Sequence, residues 1–383
     1  MMRFSQRKKF GLLFVTLLGS ILGLAACKLT NGGGGFAPPP SGSTEYLFAT
    51  SKSQVWSFNI NTTTGALSGP ASITGPALSQ GIVANPAGTF LYVSDSVNDQ
   101  VHVYTISTSG TLSEIGSSPY TVGTPSAGTN SAAGLAMDSG GNFLFAADAL
   151  NNDVAAFKVT SSTGALAAVT NSPFATASTP TQVVVDASAQ FVYVPDFNDG
   201  RGGVSAFTLS SVSTGNLVPV PGFSPFYTKS SGGPLGVATT GQFLYVSEQN
   251  ANEVAALSIT SGTGGLIPIA PEYYATGSQP TGIVLSPSGK YLYVANNGGT
   301  TISGYQVNAD GSLSEMASSP FAATVAPWYL AIDPSGKFLY TTNPAANTIT
   351  GFTINSSGAL AQFSGSATTA GTQPVSLTVV TVP

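Results

Sequence analysis

Residues 286–305 read SPSGKYLYVANNGGTTISGY, and this stretch organises the chain. Pro287 and Gly289 make a turn, Tyr291–Ala295 a short strand, 296–301 a polar loop, and a second strand opens at Ile302. Apolar and aromatic residues at alternate positions, bounded by Gly, Pro and Asn, mark strands joined by tight turns. The stretch recurs as AGTFLYVSDSVNDQVHVY (87–104), GGNFLFAADALNNDVAAF (140–157), SAQFVYVPDFNDGRGGVSAF (188–207), TGQFLYVSEQNANEVAAL (240–257) and SGKFLYTTNPAANTITGF (335–352). A degenerate copy, STEYLFATSKSQVWSF, lies at 43–58. A repeat several strands long without helical periodicity means an array of small sheets.

Outward from this core, each unit opens with a short apolar run: GIVA (81–84), GLAM (134–137), QVVV (182–185), GVA (236–238), GIVL (282–285) and YLAI (329–332). The aromatic-rich strand comes second, and a third starts with Val or Ile. A hairpin with Gly-x-Leu, clearest at Gly110, Gly164, Gly311 and Gly358, leads to a fourth, and several units close with Ser-Pro-Phe/Tyr at Ser118, Ser172, Ser224 and Ser319. Four antiparallel strands per unit make a propeller blade. The second-strand motif occurs seven times, at Tyr46, Phe90, Phe143, Phe191, Phe243, Tyr291 and Phe338. The first copy lacks an inner strand, whereas Pro374–Val382 is a surplus strand at the end. Joining the two closes a ring and removes two exposed sheet edges. The expected fold is all-β: a seven-bladed propeller over residues 44–383, closed by the C-terminal strand.

The N-terminus carries a different message. Arg3, Arg7, Lys8 and Lys9 precede an apolar run, Phe10–Ala26, that ends Leu24-Ala25-Ala26-Cys27. A basic start, an apolar middle and small residues at the end form a secretory signal. Cys27, the only cysteine, stands where the bacterial lipobox places its acylated thiol. Residues 1–26 are therefore read as a lipoprotein signal, Cys27 as the lipidation site, and residues 27–43, rich in Gly and Pro, as a linker. The expected location is the bacterial cell envelope, with the N-terminal lipid in the membrane. Removing the four cations of the signal leaves seven Lys and Arg against sixteen Asp and Glu, a balance of −9. No basic patch remains, which argues against nucleic acid as a partner. A repeat array can reach this length because each unit packs only on its neighbours, and a monomer is expected.

The repeat Gly-x-Phe-Leu-Tyr-Val-x-Asp/Asn, with Gly-x-Leu and Ser-Pro-Phe, resembles that of the seven-bladed lactonase-like propellers. This YVTN-repeat group includes 6-phosphogluconolactonase-like and muconate-cyclising enzymes, and the resemblance covers 44–383. It implies a lactone hydrolase of the 6-phosphogluconolactonase-like kind. In such members inner strands commonly begin Pro-Arg-His; here the matching starts read Pro234-Leu235-Gly236, Pro280-Thr281-Gly282 and Pro327-Trp328-Tyr329. The Arg and the His are missing, and only Glu248 matches the family's acidic position. The resemblance makes Glu248 the one weak candidate for a catalytic base, with Arg201 holding an anion.

The residues themselves offer a second reading. His102 is the only histidine, there is no Gly-x-Ser-x-Gly elbow, and no metal or cofactor site is expected. The segments between second and third strands carry Asp95 and Asp99, Asp148 and Asp153, Asp196 and Asp199, and Glu248 and Glu253, followed by Asn296 and Asn343 in the next two blades. Turn chemistry favours Asp and Asn at such positions, yet together they also describe an acidic upper face. Trp328 and Tyr329 sit side by side at the channel mouth, where other blades are small or aliphatic; because successive strand residues face opposite ways, one is expected to line the channel and the other to pack between blades. An aromatic face beside carboxylates and amides suits a sugar. A non-catalytic module binding a glycan, peptide or protein on that face therefore competes with the lactone hydrolase.

Overall fold

The computed structural model describes residues 44–123, 132–197, 202–210, 214–228 and 232–383. The leader, Cys27, the linker, Asp199 and Arg201 lie outside the described residues.

Seven separate antiparallel sheets are present, and in six of them chain order from inner to outer strand is also spatial order. The first blade is composite. Its inner strand is Leu377–Val382, paired antiparallel with Thr44–Ser51, so that Leu47 faces Val379 and Tyr46 faces Val380. The ring closes there, as expected from the surplus C-terminal strand. The fourth strand differs from expectation in five blades. It is broken into two short pieces that pair with opposite ends of the third strand, as Leu112–Glu114 and Tyr120–Thr121 do on Gln100–Ile106. The Ser-Pro motif lies at this break. Ser118 Oγ accepts the N–H of Val103, and Ser172, Ser224 and Ser319 do the same for Ala156, Ala206 and Gly304. Each serine thus satisfies a third-strand donor where the ladder is interrupted.

The second strands are buried on both faces throughout Phe90–Asp95, Phe143–Asp148, Phe191–Asp196 and Phe338–Asn343. The alternation expected from the sequence is not kept here: with both faces covered by neighbouring blades, these strands carry near-continuous apolar runs. The core is correspondingly a set of seams between neighbouring blades. Tyr46 and Phe48 of blade 1 pack with Leu91 and Val93 of blade 2, and Phe338 and Tyr340 of blade 7 with Leu47 and Val379 of blade 1.

One contact repeats at all seven seams and explains two motif residues at once. The first aromatic of each second strand lies on the hairpin glycine of the next blade: Tyr46 on Gly110, Phe90 on Gly164, Phe143 on Gly215, Phe191 on Gly264, Phe243 on Gly311, Tyr291 on Gly358 and Phe338 on Gly65. A Cβ on any of these glycines would stand within 2.3–2.6 Å of the ring, and every one has φ between 72° and 83°. Only glycine satisfies both demands. Two residues further along the strand, Tyr92, Tyr193, Tyr245 and Tyr293 donate from their hydroxyls to the carbonyls of Gly164, Gly264, Gly311 and Gly358.

Candidate functional site

The inner strands line the axis in successive levels, which the pairing register fixes. At mid-channel, Val83, Ala136, Val184, Ala238, Val284, Ala331 and Thr378 each pair with the residue at the centre of the second strand. All seven border an axial cavity of about 160 Å³. Two residues towards the mouth, the same column reads Gly81, Gly134, Gln182, Gly236, Gly282, Tyr329 and Ser376. The four glycines are there because the neighbouring inner strands come close: a Cβ on Gly81 would lie 2.4 Å from Ala133 O, and one on Gly236 2.5 Å from Thr281 O. Gln182 and Tyr329 are the two large side chains at this level. They come from blades 4 and 7, across the ring from each other, and the Gln182 side chain comes near enough to the Tyr329 hydroxyl to favour its ionised form. Gln182 Oε1 also accepts the N–H of Val237 at 3.2 Å. The pair forms a bridge across the axis.

Above the bridge lies a mouth cavity of about 300 Å³, at the small end of the range for small-molecule sites. Gln80, Thr181, Leu235, Thr281, Trp328 and Val375 border it with Gln182 and Tyr329, and none of its described lining residues is charged. Both Trp328 and Tyr329 reach this cavity, whereas one was expected to turn away between blades. The reason is local. Trp328 N donates to Thr342 O and Thr342 N to Tyr329 O, so two inner-strand residues oppose one partner residue, as in a β-bulge, and strict alternation is lost. Burial raises the Tyr329 hydroxyl above the ordinary tyrosine pKa, and the Gln182 contact works the other way. The phenol is protonated at neutral pH and available as a donor.

The acidic positions sit elsewhere than on an open rim. Asp95, Asp148, Asp196, Glu248, Asn296 and Asn343 are the last residues of their second strands and are at most 2% exposed. Their side chains hold the blades together. Asp95 Oδ1 accepts from Val97 N and Asn98 N, and Asp148 Oδ1 from Leu150 N and Asn151 N. Across the hairpin, Asp196 Oδ2 accepts from Ser205 Oγ at 2.7 Å, and the amides of Asn296 and Asn343 donate to Ser303 Oγ and Thr350 Oγ1. His102 occupies that same third-strand position in blade 2. Its Nε2 lies 3.6 Å from Asp95 and its Nδ1 2.7 Å from Glu114. Burial alone would lower its pKa, but the two carboxylates outweigh burial and raise it. Glu248 Oε1 accepts from Thr228 Oγ1 at 2.5 Å, and Glu248 does not border the mouth cavity. Among the described residues, no three His, Cys, Asp or Glu side chains are grouped to hold a metal ion.

Sequence reasoning singled out Tyr329 but passed over Gln182. The signal was present in the inner-strand starts, where QVVV and YLAI break a column that otherwise begins with glycine.

A family model described as lactonase, 7-bladed beta-propeller, matches residues 44–222, 208–318 and 265–379. No curated protein matches by sequence. Among solved structures, a Bacteroides fragilis protein named as a candidate 6-phosphogluconolactonase superposes with a TM-score of 0.73 at 18% identity, over 91% of this chain and 100% of that one. The periplasmic gluconolactonase of Pseudomonas aeruginosa gives 0.72 at 18% identity, over 89% and 100%. A protein of Lactobacillus plantarum gives 0.72, also at 18% identity, over 89% and 100%.

Proposed function

Because the chain belongs to the lactonase family of seven-bladed β-propellers, we propose that it opens lactone rings at the channel mouth. The observation that carries this reading is the Gln182–Tyr329 bridge, a pair of hydrogen-bonding side chains on the axis at a level otherwise filled by glycine and serine. A lactone entering the mouth meets two neutral donors, the Tyr329 hydroxyl and the Gln182 amide. Both can turn towards its carbonyl oxygen. Water adding to the carbonyl carbon places negative charge on that oxygen, and donors aimed at it stabilise the charge as it develops. The C–O bond of the ring then breaks. The ring oxygen leaves as a hydroxyl carrying a proton from the attacking water, and the product is an open-chain hydroxy acid. Glu248 takes no part in these steps.

A module that captures a glycan, peptide or protein on an acidic face is the competing reading. It is the weaker one, because Asp95, Asp148, Asp196 and Glu248 are buried and engaged, the three aspartates within their own blades and Glu248 with Thr228 of the neighbouring blade. The lactone reading is tested by following acid release from δ-valerolactone and δ-gluconolactone in a pH-stat at neutral pH. Catalysed hydrolysis is expected with the wild type, falling at least tenfold in Tyr329→Phe. Rates equal to the buffer blank with both lactones would overturn it.

The proposal extends to location, with the protein working in the cell envelope. The signal and lipobox around Cys27 support a lipid-anchored monomer held off the membrane by the linker, and one structural relative is periplasmic. Among the described residues, no helix is long and apolar enough to cross a membrane.

A further inference from the structure

Gln182 and Tyr329 border the axial cavity as well as the mouth, so the two spaces meet at that level. From there the inner strands run down to the turns that lead into the second strands. Pro86, Ser139, Pro287 and Pro334 of those lower turns are half-buried and border the same cavity. At mid-channel, Val83, Ala136, Val284, Ala331 and Thr378 are likewise half-buried rather than buried. A water-sized sphere therefore reaches the centre of the ring.

Water needs polar partners as well as room. At ~30 Å³ for each water, a cavity of about 160 Å³ holds about five. Polar side chains border it at three levels: Gln182 and Tyr329 above, Thr378 halfway, and Asp138, Asp186 and Ser286 below. Each level is two residues from the next, about 6–7 Å at the rise of a strand. One or two waters, at ~2.8 Å between hydrogen-bonded oxygens, span that distance. Thr378 is the one polar member of the mid-channel ring, whose other six members are valine or alanine. Its hydroxyl makes no hydrogen bond within the described residues and stays open to a water-sized sphere.

We propose that this channel carries the hydrolytic water up from the lower face, with Thr378 as the positioning residue halfway, so that a lactone filling the mouth is attacked from beneath. The role of the water rests on the lactone reading above; the path rests on the channel itself. A lactone lying on Gln182 and Tyr329 covers the level where the two spaces meet and closes the mouth to water from above. The uppermost water of the file then stands under the carbonyl carbon. Its oxygen bonds to that carbon and the C–O bond of the ring breaks. One of its protons passes to the departing ring oxygen, and the other stays on the new carboxyl group. The next water moves up past Thr378, whose hydroxyl accepts from one water and donates to another.

Two measurements separate the path from its role. In the first, Ala331→Cys places a thiol at mid-channel in the full chain, and hydrogen peroxide, little larger than water, is the probe. Oxidation is read by mass on the peptide carrying residue 331. The thiol should be oxidised in the folded protein, and Ser139→Trp, which covers the lower end, should slow the reaction at least tenfold. No oxidation, or oxidation that Ser139→Trp leaves unchanged, would overturn the path from below. In the second, kcat and KM for δ-valerolactone are compared across Thr378 variants. Thr378→Val, which keeps the volume and removes the hydroxyl, should lower kcat at least tenfold at unchanged KM, and Thr378→Ser should restore it. A kcat within twofold of wild type in Thr378→Val, or a loss that Thr378→Ser does not rescue, would overturn the role of Thr378. Oxidation through the lower end without turnover of any lactone would uphold the path and overturn the lactone reading.

Discussion

The hydroxyl of Tyr340 donates a 2.8 Å hydrogen bond to the carbonyl oxygen of Gly65, 275 residues earlier in the chain. It joins the last blade to the first, at the seam that the C-terminal strand also closes. The same tyrosine–glycine contact serves four other seams. Where blade 1 has Phe48 in place of the tyrosine, Ser57 Oγ bonds Gly110 O instead, at 2.9 Å. Removing the Tyr340 hydroxyl leaves a buried carbonyl without this donor, which typically costs about 1–2 kcal/mol. Tyr340→Phe should therefore lower the melting temperature measurably. Gly65→Ala should do more harm, because its Cβ would stand 2.5 Å from Phe338 at a φ of +75°. Gly69→Ala is the control for strain alone, since φ there is +57° with nothing within 4 Å. Equal losses from the two alanines would show that the ring contact contributes nothing.

Ring closure should dominate stability. Leu377 and Val379 are buried between the first and last blades, and Val380 and Val382 between the first and second. At about 1.5–3 kcal/mol for each buried aliphatic side chain, their loss is comparable with the whole stability of a typical domain. A chain ending at Thr372 should aggregate or unfold at a far lower temperature. Unfolding at the wild-type temperature would contradict the closure.

Stability should fall as pH rises from 5 to 8. Glu45, on the strand that receives the closing strand, is 2% exposed. Burial, then the nearby Asp333, pushes its pKa from the ordinary 4.5 up to about 7, with Lys337 opposing. Between those values the folded protein holds a proton that the unfolded chain has released. The contribution is fully present below pH 4.5 and is lost as pH rises through 7, about 3 kcal/mol in all. His102, raised by its two carboxylates, works in the same direction: its contribution is present below the ordinary value and lost as pH rises through the folded one. Asp95 is lowered; burial opposes this, and its hydrogen bonds to His102, Asn98 and Val97 outweigh burial. Its contribution is therefore lost only in strong acid. Asp153, which burial and then Asp148 and Asp99 raise from 3.8 to about 7, contributes in the same direction. Melting curves at pH 5, 6, 7 and 8 should slope downwards; Glu45→Gln should flatten part of the slope, and Glu45→Gln with Asp153→Asn most of it. An upward slope, or an unchanged slope in Glu45→Gln, would refute this.

Much of this architecture is legible in the sequence because the motif residues are the seam residues. An aromatic and a glycine each recur seven times because each seam needs one of both, so counting motifs counts blades. The site is legible only in part. Trp328 and Tyr329 stand out as aromatics, whereas Gln182 stands out only when its inner-strand start is set against the four that begin with glycine. The carboxylates misled for a related reason. A turn Asp copied from blade to blade produces a ring of like charges on paper, whereas Asp95, Asp148 and Asp196 are buried and bonded to their own hairpins. No pattern of spacing distinguishes those two outcomes.

Replacing Cys27 tests where the protein works. If the thiol carries the lipid, Cys27→Ser should move the protein from the membrane pellet to the soluble fraction. A pellet unchanged by the substitution would mean that an uncleaved helix is the anchor.

Trp328 provides the most direct test of the mouth as the binding site. The chain has two tryptophans, so a Trp56→Phe background leaves Trp328, on the wall of the mouth, as the sole indole reporter. Its fluorescence should be followed while δ-valerolactam, a hydrolysis-resistant analogue of δ-valerolactone, is titrated in. A saturable change in Trp328 emission, abolished by Gln182→Ala, is the predicted result. A signal that stays flat through millimolar lactam, or one that saturates identically in Gln182→Ala, would contradict the bridge as the lactone-binding element.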